Sequence, residues 1–311
     1  MSITVVGSIA YDRVKTPFGE RERMLGGAAT HFALAASFFD EVNVVGPVGD
    51  DFADTDLEVL ATRGTQIGDV ERVPGGQTFF WHGEYGWDLN SRETLAIELG
   101  VFADFEPKLS GRSLEADVLF LANIQPDLQA AVREQCSAAR FSALDSMNLW
   151  IDTARDSLVG VIRRVDCLIL NDAELRQLTE RPNLLSAARE ILSWGPSVVV
   201  AKQGEYGAAL ITADSFFALP AYPLETVVDP TGAGDTFAGG FLGYVAKRLD
   251  SGVDDAVLRQ AMAYGTALAS FNVEEFGTER MAVLSSEEVE ARVAELRRIT
   301  HFEEAPLAIS P

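Results

Sequence analysis

Residues 227–240 read VVDPTGAGDTFAGG, a glycine-rich turn flanked by carboxylates. A strand-like run precedes the turn, and Asp235 falls at the entrance of a predicted amphipathic helix. The first turn of a helix offers unpaired N–H groups and the positive end of the helix dipole. Because Gly232, Ala233 and Gly234 carry little or no side chain, an anion can approach that backbone closely. The segment therefore predicts a phosphate-binding turn.

Asp235 has two interpretations from this pattern. At the start of a helix an aspartate can simply cap the free N–H groups. Beside a phosphate-binding turn it can instead accept the proton of a hydroxyl while the turn holds a transferring phosphoryl group. The glycines are not required for capping, so they favour proton transfer. Asp229, earlier in the same segment, is a candidate for orienting the turn, binding a cation or capping the loop.

The elements that must position this turn follow a regular alternation of short apolar runs and helical patterns. Such a rhythm predicts repeated βαβ units, and hence a parallel sheet with helices on both faces. The strand-like runs cover residues 3–6, 42–45, 118–121, 142–144, 167–170 and 198–200. The helical patterns cover residues 127–139, 154–164, 184–194, 236–249 and 256–272.

Residues 70–102 break this rhythm. They are rich in aromatics, glycines and β-formers, and no crossover helix is evident. We interpret them as an antiparallel insertion, joined by residues 11–25, that forms a lid over a substrate; an ordinary edge meander is the alternative. The aromatic residues of the lid are Phe79, Phe80, Trp81, Tyr85 and Trp87.

Composition bounds the function. The 311 residues carry 47 acidic and 25 basic side chains, a formal charge of −22, and such a field repels nucleic acids and anionic membrane surfaces. Cys136 and Cys167 form no disulfide or zinc-ligand spacing, which favours reduced thiols in a cytoplasm. No apolar run reaches the length of about 18 to 20 residues that crosses a bilayer. We expect a cytoplasmic protein with no nucleic-acid and no membrane partner.

Several motifs together resemble one family. DPTGAGDTF at residues 229–237 is similar throughout to the C-terminal signature of the ribokinase-like (PfkB) carbohydrate and nucleoside kinases, and other motifs follow in the family's order. The resemblance extends from Ile3 to about Leu296. It implies an α/β, ribokinase-like three-layer fold with a mostly parallel central sheet flanked by helices, plus a small β lid. Residues 1–311 would form a single kinase domain. The other matching segments are VVGSIAYD, LGGAATHFALAAS, LILNDAE and VVVAKQGEYGAAL.

On the phosphoryl and acceptor side, the resemblance implies specific roles. Asp235 would be the general base, and the backbone of residues 232–234 would form the anion hole for the γ-phosphate of ATP. Asp12, Gly26 and Gly27 would hold substrate hydroxyls, since a carboxylate accepts two such hydrogen bonds. Taken alone, the two glycines also fit a plain strand-to-helix turn.

On the nucleotide side, the resemblance implies that Asn171 and Glu174 position Mg²⁺ with its waters, which suits a hard ion that keeps part of its hydration shell. Gly204 and Gly207 would pass near the nucleotide. Alone, the first pair also fits a solvated helix start and the second a hairpin turn; their joint order favours function. Lys202 is either a phosphate contact or a surface charge.

Four further positions are less constrained by the resemblance. Asn272 and Gly277 fall where the family borders the adenine or a monovalent cation, and a packed helix end explains them equally well. Asp229 is the candidate ligand for such a cation, K⁺. His31 replaces the asparagine of the family's GGxxAN pattern, and it fits either a substrate contact or a position behind the substrate.

The leading hypothesis is therefore ATP-dependent transfer of the γ-phosphate to a hydroxyl of a sugar or sugar-like small molecule. The first alternative is a nucleoside kinase of the adenosine or cytidine type, with the base stacked on the lid aromatics. The second alternative is a non-catalytic ligand sensor on the same fold, against which the intact GAGD turn argues. Apolar lid faces also permit a homodimer through the lid.

Overall fold

A nine-stranded sheet forms the centre of the computed structural model, which describes residues 1–302. The single domain was predicted over residues 1–311, of which residues 303–311 lie outside the described residues. The strand order is β13-β12-β11-β10-β9-β8-β1-β4-β5. Only β12 and β13 run antiparallel to their neighbours within this sheet. The strands of this sheet are β1 (Ser2–Val6), β4 (Glu41–Val48), β5 (Gln66–Arg72), β8 (Val118–Leu121), β9 (Phe141–Leu144), β10 (Cys167–Asn171), β11 (Val198–Lys202), β12 (Ala208–Ile211) and β13 (Phe216–Leu219).

Helices cover both faces of this sheet. Alternate side chains of a strand point to opposite faces, and Val118 and Leu119 accordingly belong to two different buried clusters. This arrangement confirms the predicted three layers. The helices within residues 1–302 are α1 (Ala28–Ala36), α2 (Asp54–Leu60), α3 (Gly111–Leu114), α4 (Pro126–Gln135), α5 (Asn148–Thr153), α6 (Arg155–Ile162), α7 (Asp172–Thr179), α8 (Leu184–Trp194), α9 (Ala233–Arg248), α10 (Asp255–Asn272), α11 (Glu279–Val283) and α12 (Ser286–Thr300).

A second sheet of four strands forms the lid, in the order β3-β2-β6-β7. Its strands are β2 (Ala10–Thr16), β3 (Gly19–Gly26), β6 (Phe79–Tyr85) and β7 (Arg92–Glu98). The predicted lid boundary needs a correction, because residues 70–72 belong to β5 of the main sheet, where Val70 pairs with Gly46 of β4. The β-forming residues before Pro74 extend that edge strand, and the lid begins only after the turn that follows.

One finding bears on membranes. Among residues 1–302, no helix combines the length and the apolar character that a bilayer crossing requires.

Candidate active site

The carboxyl ends of the central strands meet at one edge of the sheet, as expected for parallel strands. Asn171 ends β10, Lys202 ends β11, and Asp145 directly follows β9. The glycine-rich turn and the N-terminus of α9 lie at the same edge, within charge range of these residues. Open α/β sheets place their ligands at this edge.

The glycine-rich turn is held by buried hydrogen bonds. Asp229 has no exposed surface; its Oδ1 accepts from the Thr231 N–H at 2.9 Å, and its Oδ2 accepts from the Gly277 N–H at 3.0 Å. Gly232 caps α9 with a φ of 74°, a backbone conformation that favours glycine. The helix thus begins three residues before the predicted start at 236, because the left-handed residue turns the chain there.

Asp235 lies in the first turn of α9, directly after residues 232–234. Burial raises its pKa to about 7, and the negative charge of Asp145 adds to this rise, while Lys202 opposes it. A carboxylate whose pKa lies near neutrality is suited to accept a proton at working pH. The position therefore places a carboxylate that is suited to act as a base immediately beside a helix N-terminus, where N–H groups can bind an anion.

Lys202 forms an ion pair with Asp145, whose Oδ2 lies 2.8 Å from Nζ. Its side chain is only 18% exposed, which argues against the alternative that Lys202 is a surface charge. A Cβ on Gly234 would lie 3.0 Å from Nζ, which shows how closely the lysine approaches the turn. Burial lowers the pKa of Lys202, but the charges of Asp145, Glu174 and Asp235 outweigh that effect and raise it, so the amine is protonated.

Asn171 and Glu174 form a capping box at the start of α7. The Asn171 side chain accepts from the Glu174 N–H at 2.8 Å, and the Glu174 Oε2 accepts from the Asn171 N–H at 2.9 Å. Burial and the charge of Asp145 raise the pKa of Glu174, while Lys202 opposes this. The capping interpretation and the Mg²⁺ interpretation are compatible, because only one Glu174 oxygen is used by the cap.

The donor set around Glu174 fits a magnesium ion that keeps most of its waters. The available ligands are carboxylate and amide oxygens, which Mg²⁺ prefers. Within residues 1–302 no group of three or more histidine, cysteine, aspartate or glutamate side chains forms a protein-only metal cage. Any such ion would therefore be held chiefly by water and by phosphate oxygens.

Asp12 reaches the site from the lid strand β2. It is buried, and its carboxylate lies over Gly26 and near the N–H of Gly27, the residue that caps α1. Burial raises the pKa of Asp12 to about 8, and the charges of Asp229 and Asp235 contribute. The three predicted acceptor residues are thus brought together, with several carboxylates close enough to repel one another.

His31 and Asn272 lie behind the turn. His31 is 1% exposed, and its Nδ1 is 3.0 Å from the Asn272 Oδ1. Asn272 was predicted either to border the adenine or to belong to a packed helix end. Its side chain also accepts a hydrogen bond from Thr236 and donates one to the Thr231 carbonyl, so all of its polar atoms contact protein atoms. The structure therefore brings these two residues beneath the turn rather than to an open surface.

Gly204 and Gly207 flank a short 3₁₀ turn between β11 and β12. The tip of the lid hairpin reaches this turn, since the Asn90 amide donates to the Glu205 carboxylate at 3.0 Å. The lid therefore spans from the acceptor residues to the loop predicted to border the nucleotide.

Two residues at the site, Asp145 and Arg92, were not predicted from the sequence, and Tyr85 was predicted only as one of the lid aromatics. Tyr85 accepts a hydrogen bond from the Thr231 hydroxyl at 3.2 Å, Asp145 pairs with Lys202, and Arg92 lies opposite Tyr85 in the lid register. Burial is the largest cause of the raised pKa of Asp12 and of Asp235, and the Arg92 guanidinium opposes it in both. Asp145 could have been found from the sequence, because it directly follows an apolar run that predicts a strand. Arg92 could not, since it lies in an exposed strand without apolar alternation.

This geometry suits one class of protein: an enzyme that would bind a phosphoryl group at a helix N-terminus beside a buried carboxylate, under a lid. Comparison with known proteins gives the family. The pfkB family carbohydrate kinase model matches residues 2–283, and the chain belongs to that family.

Individual relatives agree with this assignment. The chain is 31% identical over 249 residues to a cytidine kinase of Thermococcus kodakarensis, covering 78% of this chain and 87% of that protein. It is 27% identical to a deoxyribokinase of Salmonella typhi, covering 82% of each. A structure of a ribokinase II from E. coli in complex with ATP and Mg²⁺ has the same fold, with a TM-score of 0.76 and 20% identity, covering 94% of this chain and 99% of that one.

The family assignment confirms the expected activity. The chain is a sugar or nucleoside kinase, a phosphotransferase that acts on a hydroxyl group. Membership of this kinase family implies the use of ATP.

Proposed function

We propose that the chain is a nucleoside kinase that uses ATP and Mg²⁺. The observation that carries this proposal is the row formed across the lid by Asp12, Trp81 and Ile97, which are partners in successive strand pairs. Residues that pair in register share one face of a sheet. A carboxylate for ribose hydroxyls therefore lies next to an indole and an aliphatic side chain that can contact a flat base.

The exposure of this row supports a large acceptor. Ile97 is 50% exposed and Trp81 is only partly buried, so part of the apolar area of this row faces solvent. The Trp81 N–H donates to the Thr94 hydroxyl, which fixes the indole flat along the lid. A sugar alone would leave this apolar area in water, whereas a base would cover it.

The cytidine kinase relative also favours a nucleoside, since its identity of 31% exceeds that of the deoxyribokinase. The acceptor hypothesis that led the sequence analysis, a sugar or sugar-like molecule, becomes the second candidate. The deoxyribokinase relative, aligned over 82% of each chain, is the observation in its favour.

In the proposed reaction, Asp235 accepts the proton of a ribose hydroxyl as the oxygen attacks the γ-phosphorus of ATP. A new O–P bond forms, the bond between the γ-phosphorus and the β,γ-bridging oxygen breaks, and ADP leaves with that electron pair. The N–H groups of residues 232–234 hold the equatorial oxygens of the transferring group. Lid closure excludes water, which would otherwise accept the phosphoryl group.

Two cations would assist this transfer. Lys202 would move from Asp145 toward the γ-phosphate, because a lysine beside a helix N-terminus gains most when an anion lies between them. Arg92 would add a guanidinium from the lid side, where it already opposes the carboxylate charges. Gly204 and Gly207 would border the nucleotide.

Asn171 and Glu174 would hold Mg²⁺ through its waters. The ion supplies charge neutralisation on the phosphate oxygens when bound. For K⁺, Asp229 remains the proposed ligand; both of its oxygens already accept backbone hydrogen bonds, so the ion would have to share them.

The test is an ATP-turnover assay with purified full-length chain, Mg²⁺, and a panel of cytidine, adenosine, ribose and deoxyribose, with and without K⁺. We expect the largest kcat/KM with a nucleoside. A preference for a free sugar would replace the nucleoside by the second candidate. Ligand binding without turnover of any acceptor would favour the non-catalytic sensor.

A homodimer through the lid remains part of the proposal. Leu95 in the outer strand β7 and Leu99 just after it are each about half exposed, and the edge of β7 can pair with another strand. Light scattering after gel filtration tests this, with Leu95→Lys expected to yield the monomer mass. No nucleic-acid partner is expected at a charge of −22.

A further inference from the structure

Three side chains, those of His31, Thr236 and Asn272, meet beneath the glycine-rich turn, and Asn272 connects the other two to the backbone of the turn. Its Oδ1 lies 3.0 Å from His31 Nδ1 and accepts from the Thr236 hydroxyl at 3.0 Å. Its amide nitrogen donates to the Thr231 carbonyl at 2.7 Å. His31 and Asn272 are each 1% exposed, so water does not compete for these three contacts.

This network determines the proton on His31. A backbone carbonyl only accepts, so the group of Asn272 that faces Thr231 is the NH₂, and the oxygen faces the histidine. An amide oxygen cannot donate, so Nδ1 of His31 carries the proton. Burial lowers the pKa of His31 to about 4, and the ring is therefore neutral at pH 7. Its Nε2 then carries a lone pair, and no partner for it exists among residues 1–302.

The ring also supports the turn by contact. A Cβ on Gly232 would lie 2.4 Å from three ring atoms of His31, so the imidazole fills the space beside that glycine. Among side chains, asparagine could supply the donor without the ring, and phenylalanine the ring without the donor. Histidine supplies both, at the cost of an unpaired buried nitrogen.

We propose that His31 and Asn272 act as a positioning dyad that holds the Thr231–Gly232 peptide so that the following N–H groups face the transferring phosphoryl group. This inference rests on the proposed anion-hole role of residues 232–234. The dyad joins α1, which follows the acceptor glycines, to the end of α10. It sets the rate of phosphoryl transfer rather than the affinity for the acceptor.

The kinetic test breaks the hydrogen bond of the dyad from either side. His31→Phe keeps the ring and removes the donor, and Asn272→Ala removes the acceptor. We expect each to lower kcat about 10- to 100-fold because the turn shifts, with the acceptor KM within about twofold of wild type. The double variant should lose no more than the worse single variant, because both act on one unit. A raised acceptor KM at unchanged kcat would make His31 a substrate contact and overturn the dyad, as would additive losses.

Thr4→Val is the matched control. Thr4 lies in β1, and its hydroxyl donates a buried hydrogen bond to the Ser113 carbonyl at 3.1 Å, outside the glycine-rich turn. The variant removes that bond. We expect a loss of stability similar to that of the dyad variants and an unchanged kcat. A matching loss of kcat in this control would assign the effect to general destabilisation.

A spectroscopic test needs no change at the dyad. The chain has three histidines, and His82→Gln with His301→Gln leaves only His31. Nitrogen NMR of ¹⁵N-histidine-labelled protein at about pH 7 should show a protonated Nδ1 and an unprotonated Nε2. The opposite tautomer overturns the dyad. This readout does not depend on the acceptor. If the enzyme phosphorylated a sugar and not a nucleoside, the proposed function would be refuted while the dyad would stand.

Discussion

The glycine-rich turn and the lid face the same site, yet they are held in different ways. The turn is fixed by buried bonds: Asp229 accepts two backbone N–H groups, and Asn272 binds the Thr231 carbonyl. The lid reaches the main body at its tip through exposed or half-buried contacts, such as that of Asn90 with Glu205. In the proposed reaction, phosphoryl transfer would thus depend on backbone held by buried bonds, whereas acceptor recognition would depend on side chains of the lid sheet.

This comparison predicts that changes at the turn stop the chemistry and changes at the lid alter its substrate. Preorganised groups gain most where charge develops in the transition state. A separate lid sheet can instead vary its side chains without disturbing the turn.

The largest effect is expected at Asp235. Asp235→Asn keeps the size of the side chain and removes the base, so kcat should fall about 10³-fold. ADP formation with ATP and cytidine measures it, and calorimetric ATP binding serves to verify the fold. Asp250→Asn, an exposed aspartate paired with Arg140, is the matched control and should keep full activity. Normal turnover by Asp235→Asn would refute its role as base.

Arg92 tests whether the lid also takes part in the chemistry. Arg92→Ala should lower kcat about 10- to 100-fold, since a positive charge near the phosphoryl group is lost, and Arg92→Lys should recover part of it. Arg13→Ala is the control. Arg13 follows Asp12 in β2, so its side chain lies on the opposite face of the lid, where it pairs with Glu20. If Arg92→Ala raised only the nucleoside KM, the lid would act in recognition alone, and the comparison would become sharper.

The fold itself was predictable where the sequence pattern is local. The strand at 118–121 and the helix at 184–194 have the predicted bounds, because a continuous apolar run and an amphipathic period mark buried elements directly. The start of α9 was predicted three residues late, because the pattern does not reveal the left-handed conformation of Gly232. The edge strand at 70–72 was assigned to the lid because β-forming residues do not specify which sheet they join.

The site was predictable only in part, for a related reason. Asn171 and Lys202 end neighbouring strands, so their proximity follows from the parallel sheet. The pair His31 and Asn272, by contrast, is separated by 241 positions, and no local pattern connects the two. Arg92 depends on the lid register, which shifts at a bulge between His82 and Gly83. Long-range register and tertiary contacts of this kind are not encoded in any single window of sequence.

Recognition of the base is expected to produce a smaller effect. Trp81→Ala should raise the KM for cytidine about 2- to 10-fold, since an aromatic contact contributes about 0.5–1.5 kcal/mol. Activity with ribose should stay unchanged. Trp87→Ala is the control, because that indole is 92% exposed at the hairpin tip. Equal losses with cytidine and ribose would mean that Trp81 shapes the lid instead of contacting a base.

The smallest effect is a dependence of stability on pH at the point where lid and turn meet. Burial, with the charges of Asp229 and Asp235, raises the pKa of Asp12 from 3.8 to about 8. Between these values the folded chain holds a proton that the unfolded chain has lost, so this group makes folding less favourable as pH rises. Asp12→Asn removes the ionisation. The variant should therefore match wild type near pH 4 and exceed its Tm by about 2–4 °C at pH 8 without ligands.

Thermal unfolding of the unliganded proteins at both pH values measures this difference, and Asp250→Asn should show no such pH-dependent gain. A Tm advantage that was largest in acid would reverse the sign, and would mean that Asp12 is stabilised as a carboxylate by a neighbouring cation. Arg92 is the cation that could do so, because it is the charge that opposes the rise in the pKa of Asp12 after burial and the two aspartates have raised it. Measuring Asp12→Asn in the Arg92→Ala background separates the two cases: if burial dominates, Asp12→Asn still raises the Tm at pH 8, whereas if the guanidinium stabilises the carboxylate, its removal abolishes the advantage in acid.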